Sequence, residues 1–336
     1  MAPLPLVTHD PAAPYDGAPP QPSWRRENAH WRVGVDSGGT FTDICLFDER
    51  TGRVAVWKVP STPDDPSRAI ANGVEEALRR VAAEGGDKPA AAVAYFGHGT
   101  TVATNTLIQH RGAPTGLITS DGFRDLLEIG RQKRPDLYDI QADKPPTLVP
   151  RALRLEVPER VNHAGTVLTP IDEERTREAA RTLRAAGVQA VAVSFLYGFL
   201  RPDHEQRALA ILREELPDAF LSAGHEIAPE FREFERLSTV VLNAYLGPVM
   251  QRYLSRLGPR LSDIGMAATP HLTQSNGGVI GFAAAASMPV RTVLSGPATG
   301  VVGAQAIGRL AGYPDLITFD MGGTSTDVAL LQGGSC

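Results

Sequence analysis

Two octapeptides that start 284 residues apart carry the same chemistry. Asp36-Ser37-Gly38-Gly39-Thr40-Phe41-Thr42-Asp43 and Asp320-Met321-Gly322-Gly323-Thr324-Ser325-Thr326-Asp327 agree at six of eight positions. Adjacent glycines let the backbone turn tightly and leave amide N–H groups free to meet phosphate oxygens, with no Cβ in the way. Threonine hydroxyls add donors. A carboxylate at the end of the first strand repels phosphate, but it can hold Mg²⁺ through water, and the cation cancels charge between the two. Asp36 and Asp320 are therefore the candidate catalytic and Mg²⁺-holding residues. Gly38, Gly39, Thr40, Thr42, Asp43, Gly322, Gly323, Thr324, Thr326 and Asp327 are the candidate phosphate-binding residues. One copy alone reads more readily as a decorated hairpin turn; the duplication favours phosphate. The pattern GxxxxGK[ST] is absent, so a P-loop does not compete.

The elements needed to position these turns are visible on either side of them. Val33-Gly34-Val35 and Ile317-Thr318-Phe319 precede the two acids, and Ile44 to Phe47 and Val328 to Leu331 follow, giving strand, turn, strand twice. Periodicity predicts a helix over 67–83, opened by Pro66 and stopped by Gly85-Gly86. A buried strand over 91–96 ends at Gly97-His98-Gly99-Thr100-Thr101, and a helix over 102–110 follows, with Gly112 as its stop. Thr169 reads as the N-cap of a helix reaching Ala186, ended by Gly187. A strand over 188–195, a helix over 202–216 and a longer helix over about 229–257 complete an alternating α/β pattern. His98, between strand and helix, could donate to a phosphoryl oxygen or act as acid or base, or be structural. Thr100 and Thr101 could face the cleft or cap the helix, and Asn105 could do the same or pack.

Composition removes several function classes. The chain has 336 residues, 42% hydrophobic and 21% charged, with a net charge of −5, so no basic excess supports nucleic-acid binding. Two cysteines, Cys45 and Cys336, build neither a disulfide framework nor a metal knuckle and fit a cytoplasmic setting. No apolar run reaches the ~18 residues of a membrane span, and no HxxxH or HExxH spacing suggests zinc. Residues 1–30 hold seven prolines and read as a disordered leader.

Two phosphate hairpins from duplicated lobes resemble the clamp of the actin and sugar-kinase superfamily, which implies an α/β, actin-like (ribonuclease H-like) ATPase fold that binds ATP. More closely, the chain resembles the hydantoinase A and 5-oxoprolinase family, which includes subunits of acetone and acetophenone carboxylases. The resemblance runs from about Arg32 to Gly333. It rests on both hairpins and on His98-Gly-Thr-Thr-Val-Ala-Thr-Asn-Thr106, Ser194-Phe-Leu-Tyr197, Glu226-Ile-Ala-Pro-Glu-Phe-Arg-Glu233, Ser275-Asn-Gly-Gly278 and Ser295-Gly-Pro297. It implies ATP-dependent chemistry on a cyclic amide, in which the γ-phosphoryl activates the carbonyl oxygen before ring opening. The alternatives are a carboxylase subunit or a non-catalytic nucleotide-binding module. It also places the charged cluster at Arg232 near substrate or a lobe interface, against a plain reading as surface ion pairs. Asn276 and Ser295 look like turns lining the cleft, and a hydantoinase B-like partner subunit is implied.

The expected division is 31–217 for the N-terminal region with the first hairpin and 218–336 for the start of the core domain. The sequence stops nine residues after Asp327, which leaves the second lobe incomplete. An unpaired edge carrying Val328 to Leu331 would be sticky, and the chain alone is expected to show little ATP-dependent activity, because half a clamp neither excludes water nor aligns a phosphoryl group.

Overall fold

Alternation along β1 (Trp31–Ser37) sets the two faces of the fold: Trp31, Val33, Val35 and Ser37 are buried, whereas Arg32, Gly34 and Asp36 are exposed. The same strand thus feeds the core with one face and presents its acid with the other. The computed structural model describes residues 29–62, 64–83, 90–139, 141–321 and 326–335. The expected leader, apart from its last two residues, and the Gly85-Gly86 stop lie outside them.

β1 pairs antiparallel with β2 (Phe41–Asp48), which pairs with β3 (Val54–Pro60); α1 (Pro66–Ala83) then crosses to β4 (Val93–Thr100), parallel to β1. After α2 (Val102–Ile108) the chain enters a second sheet through β5 (Thr115–Ser120), followed by α3 (Leu126–Ile129) and β6 (Arg154–Val157). A small ribbon of β7 (Arg160–Val161) and β8 (Val167–Thr169) leads into α4 (Glu173–Ala185), β9 (Ala190–Ser194), α5 (Asp203–Glu215) and β10 (Phe220–Ala223), so this sheet has the all-parallel order β10-β9-β5-β6. All five residues of β9 are buried, as expected of a parallel strand covered on both faces. The expected division at 217–218 falls between α5 and β10.

A short α6 (Gly224–Ile227) precedes α7 (Glu233–Asp263), the 31-residue helix that joins the sheets. Its N-terminal half packs Leu237, Val240, Val241 and Ala244 under the second sheet, and its C-terminal half packs Tyr245, Met250, Leu254 and Leu257 under the first. Because it is covered on several sides, α7 lacks the one-sided apolar stripe of a surface helix. The chain then returns to the first sheet with β11 (Pro270–Thr273) and β12 (Val279–Gly281), giving the order β12-β11-β4-β1-β2-β3. α8 (Phe282–Ser287) and α9 (Ser295–Ala311) lead to a separate hairpin, β13 (Leu316–Met321) and β14 (Thr326–Leu331).

Three local expectations are corrected. β4 runs on through Gly97 to Thr100 rather than ending in a turn, because it lies between β1 and β11 and both neighbours hold it extended. Gly112 does not end α2, which stops at Ile108; its missing side chain makes room for Tyr245, whose Cε1 would lie 2.1 Å from a Cβ there. The N-cap of α4 is Asp172 rather than Thr169, with its carboxylate accepting the Arg175 N–H at 3.0 Å.

Candidate functional site

The two hairpins share one register. Asp36 stands opposite Asp43 and Ser37 opposite Thr42 in the first; Asp320 stands opposite Asp327 and Met321 opposite Thr326 in the second. The tip of the second, with Gly322, Gly323 and Thr324, lies outside the described residues. At the first tip the Gly38 N–H donates to the Phe41 carbonyl at 3.0 Å, and Gly39 and Thr40 stand exposed.

Hydroxyl groups brace this turn from beneath. Ser61 Oγ donates to the Gly38 carbonyl at 2.8 Å and lies 3.0 Å from Thr42 Oγ1, while the Ser61 N–H donates to the Thr40 carbonyl at 2.9 Å. Thr42 is fully buried, so its hydroxyl supports the turn instead of facing the cleft as expected. Asp43 is held by Lys58 Nζ at 2.8 Å and 3.1 Å. Lys58 carries no motif signal, but β3 places it directly opposite Asp43.

Solvent reaches Asp36 through the open cleft, yet protein atoms crowd its carboxylate on two sides. A methyl group at Gly99 would lie 3.2 Å from Asp36 Oδ1, and one at Gly296 would lie 3.6 Å from it. Lost hydration raises the Asp36 pKa to about 6, with the charges of Asp320 and Asp43 adding and Lys58 opposing. One turn further along α9, a methyl group at Gly300 would lie 3.9 Å from Asp320 Oδ2. Two carboxylates that repel each other at the edge of a cleft are a donor set that a hard divalent cation would relieve. Among the described residues no group of three or more His, Cys, Asp or Glu side chains could hold a metal.

His98 does not meet the expectation of a residue facing phosphate. It lies on the core face of β4 and is fully buried, its Nδ1 3.3 Å from the Val35 carbonyl and its Nε2 2.5 Å from the Tyr253 hydroxyl. A carbonyl can only accept, so Nδ1 carries the proton and Nε2 accepts from Tyr253. Burial pushes the His98 pKa down to about 4 and the Tyr253 pKa up. Thr100 Oγ1 accepts the Val102 N–H at 3.2 Å. The chain Tyr253–His98–Val35 fastens α7, β4 and β1 together beneath the hairpin, and Thr100 ties β4 to the start of α2. His98 and Thr100, both buried, are positioning residues.

The other expected residues divide. Thr101 donates from N at 3.2 Å and from Oγ1 at 3.1 Å to the Ser37 carbonyl, and Asn105 Nδ2 donates to Thr101 Oγ1 at 3.1 Å. Ser295 is buried, with its Oγ donating to the Thr100 carbonyl at 3.1 Å, so it seats the start of α9 on β4. Asn276 lies in the β11–β12 turn, where its Oδ1 accepts the Gly278 N–H at 2.9 Å. Arg232 is not brought to the hairpin. It precedes α7, exposed and 5.4 Å above the Phe231 ring, whereas Tyr253 lies 21 residues on, about 30 Å along the helix.

Beside the hairpin tip is a pocket of about 420 Å³, sharing Ser37, Gly38 and Gly39 with the turn. Its other walls come from the β3–α1 loop, from Thr101, Asn105 and Gln109 on and beside α2, from Arg111, and from Val249, Arg252, Tyr253 and Arg256 of α7. No sequence motif marked the α7 wall, since its residues become neighbours of the hairpin only through the packing of a distant helix.

Comparison with known proteins agrees with this architecture. A family profile described as hydantoinase/oxoprolinase N-terminal region matches residues 32–216, and one described as hydantoinase/oxoprolinase matches residues 236–336. The alpha subunit of caprolactamase from Pseudomonas jessenii is 41% identical over 309 residues, covering 90% of this chain and 44% of the relative. The crystal structure of that ATP-dependent caprolactamase superposes with a TM-score of 0.78 at 40% identity, over 89% of this chain and 43% of the other. Nucleotide-free acetone carboxylase, from work on its ATP-dependent mechanism, superposes with a TM-score of 0.83 at 30% identity, over 91% and 44%. 5-Oxoprolinase from Saccharomyces cerevisiae is 31% identical over 90% of this chain and 26% of its own length. The chain thus spans less than half the length of these relatives, and its fold is that of their actin-like ATPase lobes.

Proposed function

Because the chain belongs to the hydantoinase and oxoprolinase family, we propose that it is the part of an ATP-dependent amidohydrolase that holds ATP and activates the carbonyl oxygen of a cyclic amide. The observation that carries this reading is the placement of two hairpins of equal register against one helix, with Asp36 beside Gly296 and Asp320 beside Gly300. In this reading the glycine turn of the first hairpin supplies N–H donors to the phosphates of ATP, close to Asp36 and Asp320, which lie against neighbouring turns of α9. Mg²⁺ supplies charge neutralisation there and would be held through water by Asp36 and Asp320.

An amide carbonyl is a poor electrophile. Attack of its oxygen on the γ-phosphorus, with ADP leaving, turns that oxygen into a phosphate ester; one water then adds to the carbon and the ring C–N bond opens as the nitrogen takes up a proton, leaving an acyl phosphate, and a second water attacks the same carbon and releases phosphate together with the bridging oxygen. The 420 Å³ pocket suits a small cyclic amide next to Gly38 and Gly39. Asn105 and Thr101 are placed to orient its polar atoms, while Val249 and the Tyr253 ring receive its methylene groups. A hydantoinase B-like partner would act on the activated carbonyl.

The test is an isotope tracer on the complete enzyme that contains this chain: a lactam labelled with ¹⁸O at the carbonyl is incubated with that enzyme and ATP. Label in the released phosphate supports phosphorylation of the carbonyl oxygen; turnover with all label retained in the ring-opened acid contradicts it. The superposition on acetone carboxylase favours a second reading, ATP-dependent carboxylation of a ketone. ATP consumption that requires both bicarbonate and a ketone would select it.

A further inference from the structure

The exposed face of the first sheet carries a row of charge that runs across the strands to Asp36. Gly99 stands beside Asp36, Asp36 opposite Asp43 and Asp43 opposite Lys58, so β4, β1, β2 and β3 each give one residue to the row. Carboxylates directly opposite each other on neighbouring strands repel. Lys58 relieves them: its Nζ donates to both oxygens of Asp43, at 2.8 and 3.1 Å, and lies 5.2 Å from the centre of the Phe41 ring, two residues nearer the glycine turn. Its charge is felt beyond Asp43, for among the described residues it alone lowers the pKa of Asp36, against Asp320 and Asp43. Three carboxylates thus share one cation. The side chains of Lys58 and Asp43 are 56% and 45% exposed, and an ion pair so open to water adds little stability. Lys58 can therefore leave Asp43 for a stronger anion at small cost.

We propose that Lys58 is the cation that contacts the γ-phosphate of ATP, and that Asp43 holds it in readiness instead of binding phosphate itself. This rests on the reading of the first hairpin as a phosphate site. Asp36 and Asp320 are the pair that would hold Mg²⁺, which leaves Asp43 without that role, and beside phosphate an unpaired Asp43 would only repel. Lys58 starts two strand spacings from Asp36, about 10 Å, and its flexible four-carbon stem lets the ammonium swing toward the turn while its backbone stays in the sheet. Phosphoryl transfer spreads negative charge over the non-bridging γ-oxygens, where a full positive charge stabilises it most. As the bond from the carbonyl oxygen to phosphorus forms and the bond from phosphorus to ADP breaks, Lys58 keeps its proton and stays on a non-bridging oxygen.

Isothermal titration of the 336-residue chain and its Lys58→Met and Asp43→Asn variants with Mg-ATP and Mg-ADP tests this. Lys58→Met should weaken Mg-ATP at least about tenfold, the worth of one charge-assisted hydrogen bond, and Mg-ADP by about threefold at most, because the contact is to the γ-phosphate. Asp43→Asn releases Lys58 without removing it, and should bind Mg-ATP as tightly as the unaltered chain or more tightly. Both side chains are about half exposed, so the variants should fold. Undiminished ATP affinity in Lys58→Met, a loss shared equally by ATP and ADP, or a loss in Asp43→Asn as large as that in Lys58→Met would overturn the role of Lys58 and leave the nucleotide reading intact. Absence of nucleotide binding by the unaltered, folded chain would strike that reading and the role of Lys58 with it.

Discussion

The carboxylates of Asp36 and Asp320 lie against the same helix one turn apart, Asp36 beside Gly296 and Asp320 beside Gly300. Their mutual repulsion helps to hold Asp36 at a pKa of about 6, although lost hydration is the larger cause. Replacing Asp320 by Asn should therefore lower the Asp36 pKa without returning it to the ordinary 3.8. Carbon NMR titration of the nucleotide-free chain measures this; an unchanged Asp36 pKa would mean that the two acids do not sense each other.

Gly300 faces the cleft from an exposed position on α9. A leucine there is a better helix former by about 0.5–1 kcal/mol, so Gly300→Leu should stabilise the chain slightly. The same side chain would fill the space beside Asp320 and weaken ATP binding by about tenfold or more. Thermal unfolding and nucleotide titration on one sample separate the two effects, and tighter or equal ATP binding would place the nucleotide elsewhere.

His98 predicts a pH dependence of stability. Its folded pKa, about 4, lies below the 6.5 of an unfolded histidine, so between those values the unfolded chain binds a proton that the native chain refuses. Stability from this residue is full above pH 6.5 and is lost as pH falls toward 4, by up to about 3 kcal/mol. His98→Gln should be less stable at neutral pH and show a shallower loss between those limits in denaturant titrations. Equal slopes for both proteins would count against a buried neutral His98.

The β13–β14 hairpin shows an apolar face to solvent. Ile317, Phe319, Met321, Val328 and Leu330 are each more than half exposed, while Leu331 and Leu316 pack on the side of α9. Such a face promotes association. Phe319→Glu should reduce self-association in sedimentation velocity while changing stability by no more than about 0.5 kcal/mol, the scale of an exposed substitution. A large loss of stability would show that Phe319 is already covered.

Much of this was legible locally. The repeated octapeptide identified both hairpins because a tight glycine turn and its flanking strands are encoded within a dozen residues, and the α/β alternation followed from periodicity. What depended on distant packing was not legible. His98 sits in a motif that looks chemical, but the register of β4 turns its side chain into the core, toward Tyr253, 155 residues away. Arg232 stands in a dense run of charge, but the length of α7 carries it away from the hairpin. Gly308, unremarked within a glycine-rich helix, is the position where β13 packs closest, since a Cβ there would lie 2.3 Å from Leu316 Cδ2.

The central claim, that the duplicated hairpins hold the phosphates of ATP, is tested most directly by titrating the chain with Mg-ATP beside its Asp36→Asn and Asp320→Asn variants. The account predicts saturable binding by the unaltered chain, weakened at least about tenfold in each variant with the fold intact. Undiminished binding in both variants, or none by the folded chain, would contradict it.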